Sequence, residues 1–293
     1  MNDPTVFVPT LLGLSFLTAG ILNYRRDLLS AASSGLLALT VLGPVFIAAS
    51  LAAFAGEHFT AAASLSAFVP KWMPARLFLT YFVGVAHLAA ALSLVAKRCI
   101  RWSAIGLASM FALFVLLLYL PSAVKHPSVR IVWIFPVREG TFAMGGVALF
   151  ATAIRDQWRG ISDRLAGVLR IWTGSALIFF GIQNVLYPQF APGVPDNVPT
   201  SPWLPFPLTI AYVIGALLIV FGGAALVRKW SGLAISSAGL LMALLALCLY
   251  APDLFLARNP SAQVTAINFI FDTLLFGGTL FVIANVQNSS NNL

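Results

Sequence analysis

Apolar residues run along almost the whole chain in stretches of about twenty, parted by short polar clusters, and each stretch is long enough to cross a hydrocarbon core as a helix. The pattern predicts helices over 5–23, 34–57, 76–96, 100–119, 132–154, 162–186, 207–227, 231–250 and 263–285. Pro121, Pro188, Pro205 and Pro252 fall at the edges of these segments, where a residue without an N–H does least harm. Pro44 and Pro136 fall inside and predict either a kink or a shifted boundary. The expected fold class is all-α: a polytopic membrane protein of about nine transmembrane helices.

Sliding the chain over itself reveals an internal repeat. At a shift of 131, Trp72 meets Trp203, Pro74 meets Pro205, Tyr81 meets Tyr212, Gly84 meets Gly215 and Pro121 meets Pro252. At 132, Gly145-Gly146 meets Gly277-Gly278, and at 125 Gly56 meets Gly181, which implies a longer outer loop in the second copy. The expected organisation is an N-terminal transmembrane helix in 1–30, a four-helix unit in 31–154 and a diverged four-helix unit in 155–293. An even number of helices per unit makes the two copies parallel, unlike the inverted repeats of many transporters.

Composition agrees with lipid as the solvent. Hydrophobic residues make up 60% and charged residues 9% of the chain, with a mean hydropathy of +0.93; a soluble domain carries about a quarter charged. The net charge of +8 lies in the short junctions rather than in one patch, which excludes a nucleic-acid partner and reads as a topology signal. On one side fall Arg25, Arg26, Lys97, Arg98, Arg101, Arg155, Arg159, Arg164, Arg170, Arg228 and Lys229, and on the other Lys71, Arg76, Lys125, Arg130, Arg138 and Arg258. The richer side is expected to be cytoplasmic, with the N-terminus outside and the tail Gln287-Asn288-Ser289-Ser290-Asn291-Asn292-Leu293 inside, in a bacterial-type inner membrane. Met1-Asn2-Asp3-Pro4 holds no basic n-region, so the first segment reads as a retained helix and not a signal peptide.

An ionisable side chain inside a membrane helix costs roughly 2.5–3.5 kcal/mol on insertion scales, so those within the segments are the candidate site. They are Glu57, His58, His87, Arg138 and Glu139 in the first unit, and Gln183, Asn184, Asn268 and Asp272 in the second. Nearly all fall in the outer half, which predicts a shared polar cavity. There Glu57 and Glu139 are expected to pair with Arg138, and His58 or His87 to relay a proton. Asp272 has no charged neighbour in sequence and must find a partner across the bundle or carry a proton. The alternative is that these groups fix helix packing, at about 0.6 kcal/mol per interhelical hydrogen bond. Gly84, Gly215 and Gly222 are expected to permit close helix contact, and Trp72, Trp102, Trp203 and Trp230 to sit at the interfaces.

Several chemistries find no motif. Cys99 and Cys248 form no CxxC, the three histidines give no arrangement for haem pairs, and there is no HExxH, Walker A loop or GxSxG elbow. No metal site and no cofactor motif is evident.

Gly56-Glu57-His58-Phe59, Val69-Pro70-Lys71-Trp72-Met73-Pro74, Tyr81-Phe82-Val83-Gly84, Leu120-Pro121 and Arg138-Glu139 together resemble the DoxX-like membrane proteins over roughly 40–154. In the second unit Gly181-Ile182-Gln183-Asn184 stands where the first has Gly56-Glu57-His58-Phe59. The resemblance implies a four-helix unit, some of whose relatives are subunits of thiosulfate:quinone oxidoreductase or partners of redox enzymes. It leads us to expect an accessory subunit of a membrane redox process, contacting quinone and partnered by the lipid bilayer and a redox-enzyme subunit. A carrier or permease, or an assembly partner of another membrane protein, are the competing readings.

Overall fold

The computed structural model describes residues 3–194 and 196–291, and among them it contains nine long helical rods and no strand. Helix α1 (Pro4–Ala31) opens on an Asp3 cap, whose carboxylate accepts from the Thr5 amide at 2.8 Å. It runs past Arg25-Arg26, well beyond the expected end. A tight turn through 32–42, with Gly35 at φ 61°, reverses the chain into α2 (Gly43–Thr60). Pro44 therefore lies in the first turn of α2, where proline is tolerated, and the boundary has shifted rather than the helix kinked. Pro136 remains inside its helix.

The other rods are α3 (Arg76–Ala96), α4 (Ile100–Lys125), α5 (Ile131–Ile154), α6 (Arg159–Leu186), α7 (Pro207–Leu226), α8 (Arg228–Leu256) and α9 (Pro260–Asn291). Seven helical stretches are long and apolar enough to cross a membrane; the first, Pro4–Thr60, holds α1 and α2 together. Helix α5 is not among the seven, because Arg138 and Glu139 interrupt its apolar run. Many large apolar side chains point outward, among them Phe78, Phe82, Leu116 and Val220, as a lipid-facing surface requires.

The two halves pack alike. Helix α2 lies on α3 and α4 on α5, while α6 lies on α7 and α8 on α9; across the seam α9 meets α2, α5 meets α6, and α5 and α9 meet each other. Local details recur 131 residues apart. A π turn occupies Val115–Tyr119 in α4 and Ala246–Tyr250 in α8. The residue before α3, Ala75, and the residue before α7, Phe206, both take left-handed backbone, at φ 50° and 52°.

Side-chain environments are alike at two further pairs of positions. A Cβ on Gly146 would meet Ala104 and Ala108 of α4, and one on Gly277 would meet Gly239 and Ala243 of α8, so these two glycines, 131 residues apart, each sit against the preceding helix. Likewise a Cβ on Gly84 would lie 2.8 Å from His58 Cβ, and one on Gly215 would lie 3.1 Å from Asn184 Cβ. His58 bonds the Phe54 carbonyl and Asn184 the Phe180 carbonyl, each one turn back. His58 and Asn184 thus stand in like surroundings, 126 residues apart.

The rod ends around Tyr24 are tied by polar contacts. Tyr24 donates to the Leu94 carbonyl at 3.0 Å, and Lys97 pairs with Asp27 at 2.5 Å. The expected polar tail is instead helical to Asn291: Gln287 donates to the Ala166 carbonyl at 2.8 Å, Ser290 to Asp163 at 3.0 Å, and Arg155 to the Ser289 carbonyl. Met1, Asn2, Asn292 and Leu293 lie outside the described residues.

Candidate functional site

Helices α5 and α9 cross at the seam, and there Arg138 of α5 bonds Asp272 of α9 at 2.7 Å. The same guanidinium holds the neighbouring Glu139, with Nη2 and Nε donating to Oε1 at 3.1 and 3.3 Å. Phe135, one turn toward the start of α5, offers its ring to the guanidinium at 5.0 Å, and Tyr119 from the π turn of α4 stacks on that ring at 5.4 Å. Glu139 is buried and only 15% of the Arg138 side chain is exposed. Arg138 lies seven residues into α5, roughly 10 Å below its start at 1.5 Å per residue.

Asn268 precedes Asp272 by one helical turn and faces α2. With its nitrogen oriented toward Glu57, the amide donates to both carboxylate oxygens, at 2.7 and 2.9 Å. The expectation that Glu57 pairs with Arg138 is thereby corrected. Glu57 meets an amide, Arg138 binds Glu139 and Asp272, and Asp272 has its partner across the bundle. Each of the two pairings joins a residue of the first half of the chain to one of the second.

Over this cluster lies the loop between α6 and α7. Val194 and Asp196 of the loop, with Arg138, Asn268, Phe269 and Asp272, line a cavity of about 40 Å³, room for a few waters at most. Three contacts hold the loop down. Arg130 donates to the Asp196 carbonyl and to Asn197 Oδ1, both at 2.7 Å, and stacks over Phe190 and Tyr187. Asn184 exchanges two hydrogen bonds with Gly193, at 2.9 and 3.0 Å. Tyr250 donates to the Pro192 carbonyl. Asn184 is thus occupied as a staple for the loop. Arg130 and Asp196 were not singled out by sequence reasoning, since both read as ordinary outer-loop charges.

Beneath the cluster the polarity ends. Phe142 follows Glu139 by three residues and Phe276 follows Asp272 by four; their rings meet at 6.2 Å, with Phe180 against Phe276 at 5.5 Å and Phe111 against Phe142 at 5.4 Å. All four are buried and form an aromatic floor spanning the seam. Deeper still, a Cβ on Gly145 would lie 2.8 Å from Thr279 Oγ1, and one on Gly278 would lie 2.8 Å from the Gly43 carbonyl oxygen, so helices there touch with no free space.

The histidines stand apart from the carboxylates. His58 Nδ1 lies 2.8 Å from the Phe54 carbonyl, and its ring meets His87 edge-on at 5.3 Å. His87 is 3% exposed, packed by Phe54 and Phe111, and neither ring nitrogen has a hydrogen-bond partner among the described residues. Gln183 Oε1 is likewise buried without one. No histidine ring bonds to Glu57, Glu139 or Asp272, so the expected proton relay is not assembled from direct hydrogen bonds.

No curated protein and no solved structure matches the chain. A family model described as "Domain of unknown function (DUF8561)" matches residues 47–130. That stretch of similarity holds Glu57, His58 and His87 and ends before Arg138, so it covers one wall of the seam cluster and leaves Arg138, Glu139, Asn268 and Asp272 outside it.

Proposed function

We propose that the chain is a tandem pair of DoxX-like four-helix units preceded by one helix. It spans a bacterial-type inner membrane nine times, with its N-terminus outside, and serves as an accessory subunit of a membrane redox process. Duplication is supported by the π turns and the left-handed residues before α3 and α7, both pairs 131 residues apart, and by the matched helix pairings. The observation that carries the functional reading is the Arg138–Asp272 pair, which sets one guanidinium between two carboxyl groups, with a third, Glu57, on the neighbouring Asn268 amide. Electroneutrality in lipid then requires the remaining charge to be met by protons or cations drawn from the outer side, because an unbalanced buried charge is heavily penalised. A site that holds and releases protons suits a partner whose quinone chemistry takes them up. The seam cavity, at about 40 Å³, has no room for a quinone ring, so the cluster itself serves protons and not the quinone.

A carrier reading is favoured by the position of the cluster between parallel repeats. The aromatic floor and the glycine-tight inner half oppose it, since a solute would have to part both.

The test is to delete the chain from membranes of its host and follow substrate-driven quinone reduction, restoring wild type or Arg138→Gln, with mass spectrometry of proteins that co-purify in mild detergent. Reduction recovered by wild type and not by the variant, together with a co-purifying oxidoreductase, is expected. Unchanged reduction on deletion, with no oxidoreductase attached, overturns the proposal.

A further inference from the structure

The second half carries an outer cavity that the first half lacks the charges to match. It has a volume of about 520 Å³, within the roughly 300–1,000 Å³ of small-molecule sites. The loop after α6 forms one wall, the end of α8 another and the start of α9 the third, while Phe269 separates it from the seam cavity. Most of the lining is apolar, from Pro192, Pro199, Leu249 and Phe269.

Its neutral polar groups are largely engaged within the protein. Thr200 donates to the Phe190 carbonyl at 2.9 Å, Thr265 to the Ser261 carbonyl at 3.0 Å, Tyr250 to the Pro192 carbonyl, and Ser201 and Trp203 to Asp253 at 2.5 and 2.6 Å. Two charges remain. Asp253 has no cation beside it, and Arg258 has neither an ion pair nor a hydrogen-bond partner among the described residues. They line one cavity without pairing with each other. Beside the cavity, Phe255 and Leu256 are 81% and 56% exposed, an apolar lip that turns the opening toward lipid.

We propose that this cavity binds a zwitterionic phospholipid of the outer leaflet with a primary amine, its phosphate on Arg258, its ammonium on Asp253 and an acyl chain along the apolar wall. A purely anionic lipid would place its charge beside Asp253 uncompensated, and a choline head has no N–H to donate to the carboxylate.

The experiment reconstitutes the full chain in nanodiscs of equal phosphatidylethanolamine, phosphatidylglycerol and phosphatidylcholine and reads retained lipids by native mass spectrometry. Retention of phosphatidylethanolamine is expected to exceed the other two. It should fall about tenfold, the loss of roughly one 1.4 kcal/mol contact, in Arg258→Gln and in Asp253→Asn. Ala262→Phe, which fills the cavity and leaves both charges in place, should abolish it. Because Asp253 also anchors Ser201 and Trp203, Arg258→Gln and Ala262→Phe carry the test if Asp253→Asn misfolds. Preference for phosphatidylglycerol, or retention untouched by Arg258→Gln and Ala262→Phe, overturns the proposal. So does displacement of all lipid by millimolar free phosphoethanolamine, which would make the soluble zwitterion the ligand.

Discussion

Arg138 and Asp272 meet at 2.7 Å from opposite halves of the chain, and Glu139 draws on the same guanidinium. Removing the cation leaves two carboxyl groups buried together. Arg138→Gln is therefore expected to cost about 3 kcal/mol or more, read as a lowered Tm in detergent. Arg138→Gln with Asp272→Asn should recover a measurable part of that loss. A double variant whose loss equals the sum of the two singles would show that the contact is energetically empty.

Glu57 accepts from the Asn268 amide with both carboxylate oxygens. Glu57→Gln retains an oxygen for the Asn268 nitrogen and should leave stability within about 0.5 kcal/mol of wild type. Glu57→Ala strands the half-buried Asn268 amide and should cost about 1 kcal/mol. Thermal unfolding of the two variants side by side separates a hydrogen-bonding role from an electrostatic one.

Gly146 sits where a Cβ would come within 2.5 Å of the Ala108 backbone nitrogen, whereas one on Gly106 would meet nothing within 4 Å. Gly146→Ala should force α4 and α5 apart, at a cost of about 1–3 kcal/mol. Gly106→Ala should be neutral or stabilising by up to about 1 kcal/mol. Equal effects in a thermal-shift comparison would contradict the packing.

The sequence carried the helices because lipid imposes one rule on every segment: an apolar run long enough to cross. Trp72 and Trp203, Gly84 and Gly215, and Pro121 and Pro252 recur along the chain, and of these Gly84 and Gly215 mark close helix approaches in both halves. Identity between letters is a weaker guide than shared neighbours: His58 and Asn184 match only in what they touch. The seam partners stayed hidden for a similar reason. Nothing along the chain tells Asp272 from an aspartate that pairs elsewhere, or says that Asn268 takes Glu57 away from Arg138. The tail was misjudged because Gln287 and Ser290 look like loop residues until Ala166 and Asp163 are placed beside them.

Phe206 is 79% exposed and takes φ 52°, a backbone that costs a residue with a Cβ roughly 1–2 kcal/mol. Little packing is lost with its side chain, so Phe206→Gly should raise stability by about 1 kcal/mol. The corresponding Ala75→Gly should do the same. A fall in Tm for both would mean that the left-handed turn does not persist in solution.

Arg130 clasps the loop that roofs the seam cavity through two hydrogen bonds and two aromatic rings. Arg130→Ala should raise hydrogen–deuterium exchange at Ala191–Asn197 at least several-fold while leaving α5 and α9 protected, since the loop loses its only guanidinium clasp among the described residues. Exchange that rises equally in the helices would show that Arg130 supports the whole bundle.

The aromatic floor also divides the protein electrically. In the proposed orientation the polar cluster lies on the outer side of Phe142, Phe276, Phe180 and Phe111, and just inward of those rings the helices touch at Gly145 and Gly278. A membrane voltage acts with about 2.3 kcal/mol per elementary charge for each 100 mV crossed, and most of that drop falls across the insulating inner half. Protons exchanged at Glu57, Glu139 and Asp272 would then follow the acidity of the outer solution and feel little of the potential, so the site would report external pH without drawing down the gradient that the membrane stores.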